Sequence, residues 1–302
     1  MKAFFLLNPS QQKKQWGYRD RASQIARRYG WTPRFGQIER DRPQSCERLL
    51  QQALEEGCSR VIVIGGDGTL HRAINVLHQQ KRLRSTELAL IPAGTCNDFA
   101  RALGLSSKNI DEALRIACTD SPRETDLGEM QGELFVNNAG FGRHPNAGES
   151  TRGRAGSRRA RPLKTLRGFT PLSLHAQWEK GSVEGVFFMG MACNAPFFSK
   201  GLYFSKNLRV NDGFLNFFLL PTMPKWKLLP LLFMGKLGRP VRSRHMITLR
   251  VQRLTIEAQS DLWPQADGEP PLKATRKITF SIASEKANII VPSKGRRISL
   301  YS

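Results

Sequence analysis

Over roughly the first 128 residues, two hydrophobic periods alternate. Ala3 to Leu7 is an unbroken apolar run that predicts a buried strand. From Tyr18 to Tyr29, the residues Ala22, Ile25, Ala26 and Tyr29 recur at helical spacing until Gly30 stops the pattern. A second helix is predicted from Ser45, a candidate cap, through Cys46, Leu49, Leu50, Ala53 and Leu54 to Gly57. Val61 to Ile64 then reads as a strand, and Leu70, Ala73, Ile74 and Leu77 as the apolar stripe of a helix. A strand in "ELALIPAGT", a short helix in "NDFARALG" stopped by Gly104, and a helix from Ile110 to Ala117 complete the series. Alternation of this kind predicts an α/β domain with a mostly parallel sheet.

From about Gly132 the pattern shortens to strands broken by turns: "ELFVNNAG", "EGVFFMGMAC", "GFLNFFLL", "MITLRVQRLTIEA", "KITFSIAS" and "ANIIVP". This predicts an all-β sandwich as a second domain rather than a continuation of the α/β one. A chain of 302 residues is long enough for two cores.

Charge changes the picture most. With 47 basic and 25 acidic residues, the chain carries a formal charge of +22, which attracts nucleic acid, anionic membrane surface or phosphorylated small molecules. The segment from Thr151 to Gly168, "TRGRAGSRRARPLKTLRG", contains no acidic residue and reads as a loop suited to an anionic surface. No aromatics interleave its basic residues, which speaks against single-stranded nucleic acid. Five cysteines (Cys46, Cys58, Cys96, Cys118 and Cys193) form no CxxC pair and read as free thiols in a reducing compartment. The apolar run at the start stops at Asn8 and Pro9, unlike a secretory signal. The stretch from Trp226 to Leu237 is too short to span a bilayer, although with Lys225, Lys227 and Lys236 it suits either a core helix or shallow insertion. A cytoplasmic protein, peripheral at most to the inner face of the membrane, is expected.

The candidate chemistry lies in two loops. "GGDGT", Gly65 to Thr69, follows a strand and opens a helix; bare glycines admit a phosphate to backbone amides and to the positive helix end. Asp67 cannot bind phosphate directly and fits a partner for Mg²⁺ or for a hydroxyl. "IPAGTCNDFAR", Ile91 to Arg101, repeats the arrangement after the next strand, with Thr95 and Asn97 as donors to phosphate or ribose oxygens. Consecutive strand ends of one sheet are where an open α/β fold places its ligand. No GxxxxGK[ST], HRD or DFG element occurs, so a nucleotide would be held in another way.

Gly65 to Thr69 followed by "PAGTCNDFAR", and then by "GELFVNNAGFG", "RVNDGFLNFF" and "QADGEP" in that order, resembles the diacylglycerol kinase catalytic-domain family, especially its soluble bacterial lipid kinases. Sphingosine and ceramide kinases, and more distantly NAD kinase and phosphofructokinase, share the first motif. The resemblance implies an α/β nucleotide domain at 1–128 with a returning segment at about 291–302, a β-sandwich at 129–290, and an active site in the cleft between them. It implies ATP at Gly65, Gly66, Asp67, Gly68, Thr69, Leu70, His71, Thr95 and Asn97. It further implies Mg²⁺ on the Asp212 carboxylate with the carbonyls of Arg209 and Phe214. Glu269 would accept the proton of the lipid hydroxyl, with Asp67 as second candidate base and Asp267 assisting. Lys13, Lys14 or Arg101 would supply positive charge.

The chain departs from the family pattern at four places. "NPSQQKK" lacks the usual glycine after Asn8 and Pro9, and Gln37 or Glu39 stands where a threonine is usual. Arg143, His144 and Pro145 follow "AGFG", and Asn216 replaces the second aspartate of the metal stretch. The expected activity is ATP-dependent phosphorylation of a lipid hydroxyl at an anionic membrane, with diacylglycerol, a sphingoid base, ceramide or phosphatidylglycerol as acceptor. The competing expectation is a non-catalytic basic protein that binds membrane or nucleic acid on a kinase scaffold. Homodimers are common among soluble proteins, which makes a dimer the base-rate expectation for assembly.

Overall fold

The computed structural model describes residues 1–8, 12–39, 42, 44–142, 170–198, 202–203, 208–227, 246–269 and 273–293. The arginine-rich segment 151–168, residues 228–237 of the apolar stretch, and the departure at 143–145 lie outside them, as do the side chains of Lys13 and Lys14. The chain divides into two units, Met1–Leu127 with Ser284–Ser302, and Gly128–Ala283.

In the first unit the strands are β1 (Lys2–Leu7), β2 (Thr32–Gln37), β3 (Arg60–Gly65), β4 (Glu87–Pro92) and the start of β5 (Pro122–Met130). The helices are α1 (Gln12–Arg28), α2 (Ser45–Glu55), α3 (Asp67–Gln79), α4 (Asp98–Ala102) and α5 (Ile110–Thr119). The order β2-β1-β3-β4 is parallel throughout, with Phe5 opposite both Phe35 and Ile62. α1 lies against α5, and α2 against α3. Ala3 to Leu7 and Val61 to Ile64 are almost fully buried, as continuous apolar strands covered on both faces should be.

Arg60 opens β3 at 6% exposure. Its guanidinium bonds Glu87 on β4 and the Ala117 carbonyl of α5, both at 2.7 Å, and lies over the Trp31 ring. One buried cation thus ties two strands to a helix and to the chain entering β2.

Two details differ from expectation. β2 escapes the hydrophobic pattern because it is an edge strand, where Pro33 is tolerated. It is also pressed so close that a Cβ on Gly36 would meet Phe4 at 2.5 Å. Ser45 does not cap α2: it is the first helical residue, and its Oγ accepts the Glu39 N–H at 2.9 Å.

The second unit holds the end of β5, then β6 (Glu133–Phe135), β7 (Asn138–Gly142), β8 (Leu172–Trp178), β9 (Gly181–Cys193), β10 (Phe197–Phe198), β11 (Leu202–Tyr203), β12 (Leu215–Pro221), β13 (Ile247–Val251), β14 (Arg253–Ala266) and most of β15 (Thr275–Ile290). β7 and β8 each pair antiparallel with both β9 and β14, at different ends of those two long strands. A register shift between Glu257 and Leu262 separates the two halves of β14. The enclosed core includes Phe135, Phe141, Phe187, Phe217, Leu254 and Phe280.

"ELFVNNAG" divides into β6 and β7 because the amides of Val136 and Asn137 turn aside to the Asp267 carboxylate. "KITFSIAS" and "ANIIVP" form one strand, since the polar Glu285 and Lys286 between them are paired with His78 and Asp126. The chain therefore re-enters the first unit at Ser284, inside β15 and ahead of residue 291.

In the first unit Asn288 and Ile289 of β15 run parallel beside Glu87 and Leu88 of β4, and the Ser293 N–H then donates to Asp120 at 2.6 Å. Burial alone would raise the Asp120 carboxyl, but the Ser293 and Thr119 hydrogen bonds and Arg115 together hold it below its ordinary value. A depressed folded-state pKa stabilises above the unfolded value, near about 4, and is lost as pH falls. Urea unfolding of the wild type and Asp120→Asn should therefore differ at pH 7, with the variant less stable, and converge as pH falls below about 4.

Candidate active site

β3 and β4 are neighbouring parallel strands, and each ends in a glycine turn before a helix. The turns touch through their backbones. A Cβ on Gly94 would lie 2.4 Å from the Gly66 Cα, and one on Gly66 would lie 2.9 Å from the Gly94 Cα. Ala93 and Gly94 both donate to the Gly65 carbonyl, at 2.8 and 3.1 Å. Glycine at these positions is a packing requirement in its own right.

Asp67 locks the pair. At 8% exposure, its two oxygens accept the N–H groups of Asp98 and Phe99 at 2.9 and 3.0 Å, so the carboxylate of one loop serves the first turn of the helix after the other. Hydrogen bonds to a charged group contribute about 1.5–3 kcal/mol each. Asp67 thus has an architectural duty that its position in "GGDGT" did not reveal.

Asn97 is similarly committed. It adopts a left-handed conformation, φ 53°, in which Oδ1 accepts from Gly94 N and Nδ2 donates to Gly94 O, both at 2.9 Å. Thr69 is buried, and its Oγ1 accepts from the Asn8 side chain at 2.6 Å. Leu70 lies in the core with its N–H on the Gly66 carbonyl, and His71 is buried at 3%. Gly66, Gly68 and Gly94 remain half-buried and Thr95 is exposed, so the surface offered to a ligand is mostly backbone with one hydroxyl. Arg101 borders it, paired with Asp98 at 2.6 Å. Gln37 is exposed at the end of β2, and Glu39 pairs with Arg48 and Arg42.

The second unit carries the other expected residues. Asp267 and Gly268 both have positive φ, 49° and 79°, and the Glu269 N–H closes the turn on the Ala266 carbonyl at 2.9 Å. The Asp267 side chain accepts from Val136 and Asn137 at 2.8 Å and from Asn138 at 3.1 Å. Asp267 fixes the turn, and Glu269 sits half-buried just beyond it.

Asp212 stands in another turn, with Oδ1 accepting the Phe214 N–H at 3.1 Å and Oδ2 accepting from Arg250 at 3.0 Å. A divalent ion at Asp212 would compete with that guanidinium for the carboxylate. Among the described residues no three His, Cys, Asp or Glu side chains group as metal ligands. At this corner the Asp212 carboxylate is already paired with a guanidinium.

Sequence reading missed Asn8 and Arg250. Asn8 was legible, because it ends the first apolar run and so lies at the carboxyl end of a strand beside β3. Arg250 left no signal, since only strand pairing brings it opposite Asn216.

A model of the diacylglycerol kinase catalytic domain matches residues 2–130, and a model of the YegS C-terminal NAD kinase beta sandwich-like domain matches residues 142–286. A protein of Pseudomonas aeruginosa named "Probable lipid kinase YegS-like" is 32% identical over 260 residues, covering 82% of this chain and 81% of its own. A Bacillus subtilis protein named diacylglycerol kinase is 25% identical over 219 residues, covering 69% and 70%. A crystal structure of a diacylglycerol kinase from Bacillus anthracis shares the fold, with a TM-score of 0.75 at 19% identity over 97% of each chain. No helix among the described residues is long and apolar enough to cross a membrane.

Asp67→Asn should destabilise the protein by about 1–3 kcal/mol in urea unfolding without any ligand, since an amide cannot accept both N–H groups as the carboxylate does. The same loss should appear in thermal melts, which separates this duty from catalysis.

Proposed function

This chain belongs to the diacylglycerol kinase catalytic-domain family and is a kinase, and from that premise we propose that it transfers the γ-phosphoryl group of ATP to a lipid hydroxyl, with diacylglycerol or a related lipid as acceptor. The observation that carries this reading is the pair of touching glycine turns at Gly66 and Gly94, which leaves backbone rather than side chains facing a ligand. Phosphate groups suit such a surface, because amides at a helix start supply hydrogen bonds and partial positive charge without bulk. Thr95 is the hydroxyl best placed to address the nucleotide. Asn8, Asp67, Thr69 and Asn97 hold the turns in shape.

ATP enters as its Mg²⁺ complex, so the metal of the reaction is part of the substrate. Phosphoryl transfer asks the protein chiefly to position the phosphate chain and to orient the attacking alcohol. Glu269 takes the acceptor's proton, and Asp267 holds the turn that carries it. The net charge of +22 favours work at an anionic surface, where each nearby Lys or Arg adds about 1 kcal/mol of attraction. Exposed Trp226, beside Lys227, suits the same surface.

The test is transfer of labelled γ-phosphate from MgATP to a panel of lipids in mixed micelles. The wild type should phosphorylate one lipid class, and Glu269→Gln should lower kcat by about 10²–10⁴-fold with ATP binding and melting temperature kept. Absence of transfer to every lipid would sink the lipid-kinase reading. An unimpaired Glu269→Gln enzyme would leave the activity standing and remove Glu269 as base.

Gly94→Ala should weaken ATP binding at least tenfold in a calorimetric titration. The new methyl group must push Gly66 away, and a factor of ten corresponds to about 1.4 kcal/mol.

A further inference from the structure

We propose that Arg250 is the resident cation of the Asp212 corner, and that this corner takes no divalent ion. The family resemblance assigns Mg²⁺ to the Asp212 carboxylate, with the carbonyls of Arg209 and Phe214. Three observations assign the position to a guanidinium instead.

First, both oxygens of Asp212 are engaged, Oδ1 by the Phe214 N–H and Oδ2 by Arg250 Nη2 at 3.0 Å. Second, the guanidinium carbon lies 3.8 Å from the centroid of the Phe214 ring, so the ring that follows Asp212 also holds the cation in place. Third, Arg250 of β13 is the direct cross-strand partner of Asn216 on β12. Directly opposed residues put their side chains on the same face of the sheet, so the neutral Asn216 and the cationic Arg250 share one surface beside Asp212.

Charge balance points the same way. One carboxylate and one guanidinium already neutralise each other here. Adding a divalent ion would leave two positive charges uncompensated in a chain that is already strongly cationic. An aspartate at residue 216 would favour an ion, whereas asparagine removes that incentive. Mg²⁺ also demands near-octahedral oxygen coordination, while a guanidinium is satisfied by a planar pair of acceptors and an aromatic face. The consequence is a turn from Asn211 to Phe214 whose order is independent of cellular Mg²⁺, separate from any Mg²⁺ that arrives with a nucleotide.

The proposal does not depend on the identity of the substrate, and its test uses the full-length protein without nucleotide or lipid. Thermal melts in EDTA and at millimolar Mg²⁺ should coincide for the wild type. Asp212→Asn should lower the melting temperature equally in both conditions. The double variant Arg250→Ser with Asn216→Asp should gain a saturable, Mg²⁺-dependent rise of several degrees, because it restores two carboxylates and removes the competing cation. A saturable Mg²⁺ response of the wild type that Asp212→Asn abolishes would overturn the proposal. So would a folded double variant that stays indifferent to Mg²⁺, because the guanidinium would then not be what excludes the ion. If the double variant does not fold, titration of the wild type and Asp212→Asn with Mn²⁺, read by electron paramagnetic resonance, decides. Equal free Mn²⁺ in both supports Arg250 as the cation, and one extra ion bound by the wild type alone refutes it.

Discussion

A carboxylate removed from water must find its hydrogen bonds elsewhere, and Asp67 finds them in the amides that open α4. That single arrangement sets the distance between the two turns at the ends of β3 and β4. It needs Gly66 and Gly94 to be bare, because their backbones meet where any side chain would stand. It needs Asn97 in a left-handed conformation, so that its amide can close on Gly94 and leave the Asp98 and Phe99 N–H groups pointing at Asp67. It also needs the end of β1, where Asn8 holds the hydroxyl of Thr69. The glycines, the aspartate and the threonine of the first motif are therefore largely explained by how two loops of one sheet support each other. The ligand surface is what remains when that support is complete.

The second unit uses the same device. Asp267 gathers three amides from the bend between β6 and β7, at the cost of a left-handed backbone for itself and for Gly268. The geometry thus gives Asp267 a structural role: it spends its oxygens on the backbone, and the half-buried Glu269 follows the turn that it fixes. Spacing alone could not have assigned that role, because Asp-Gly-Glu reads equally well with either acid as the reactive group.

How much the sequence disclosed follows from which contacts are local. The buried parallel strands and the amphipathic helices were legible because burial on both faces or on one stripe writes itself into the apolar pattern. β2 was not, because Thr32–Gln37 carries a proline and a glycine on a sheet edge; Leu172–Trp178 does alternate, with Leu172, Leu174 and Ala176 buried and Ser173, His175 and Gln177 on the other face, and that signal was missed. The two glycine motifs pointed to the right loops, yet the duties of Asp67 and Asn97 depend on partners supplied by another loop, which no local pattern encodes. Arg250 is the extreme case. Its meaning rests on the register of β13 against β12, and in the sequence it is one arginine among many.

The same distinction between near and far contacts governs the charge. Buried or half-buried acids in the described residues repeatedly meet a cation of their own: Asp98 with Arg101, Glu87 with Arg60, Asp126 with Lys286 and Asp212 with Arg250. Such pairs are neutral at a distance and hold the local geometry. With 47 basic against 25 acidic residues, pairing cannot exhaust the cations, and the surplus acts as a field rather than as contacts. A field of that kind reaches only about 8–10 Å beyond the surface at physiological salt, enough to concentrate anionic lipid or nucleotide but not to tell one from another. Discrimination must then come from short-range surfaces; in the proposed function these are the bare backbone at Gly66 and Gly94 for phosphate and the turn at Glu269 for a hydroxyl. Raising the ionic strength should consequently weaken capture at an anionic surface while leaving the hydrogen-bonded turns intact, because amide and carboxylate buried against each other are screened far less than exposed arginines.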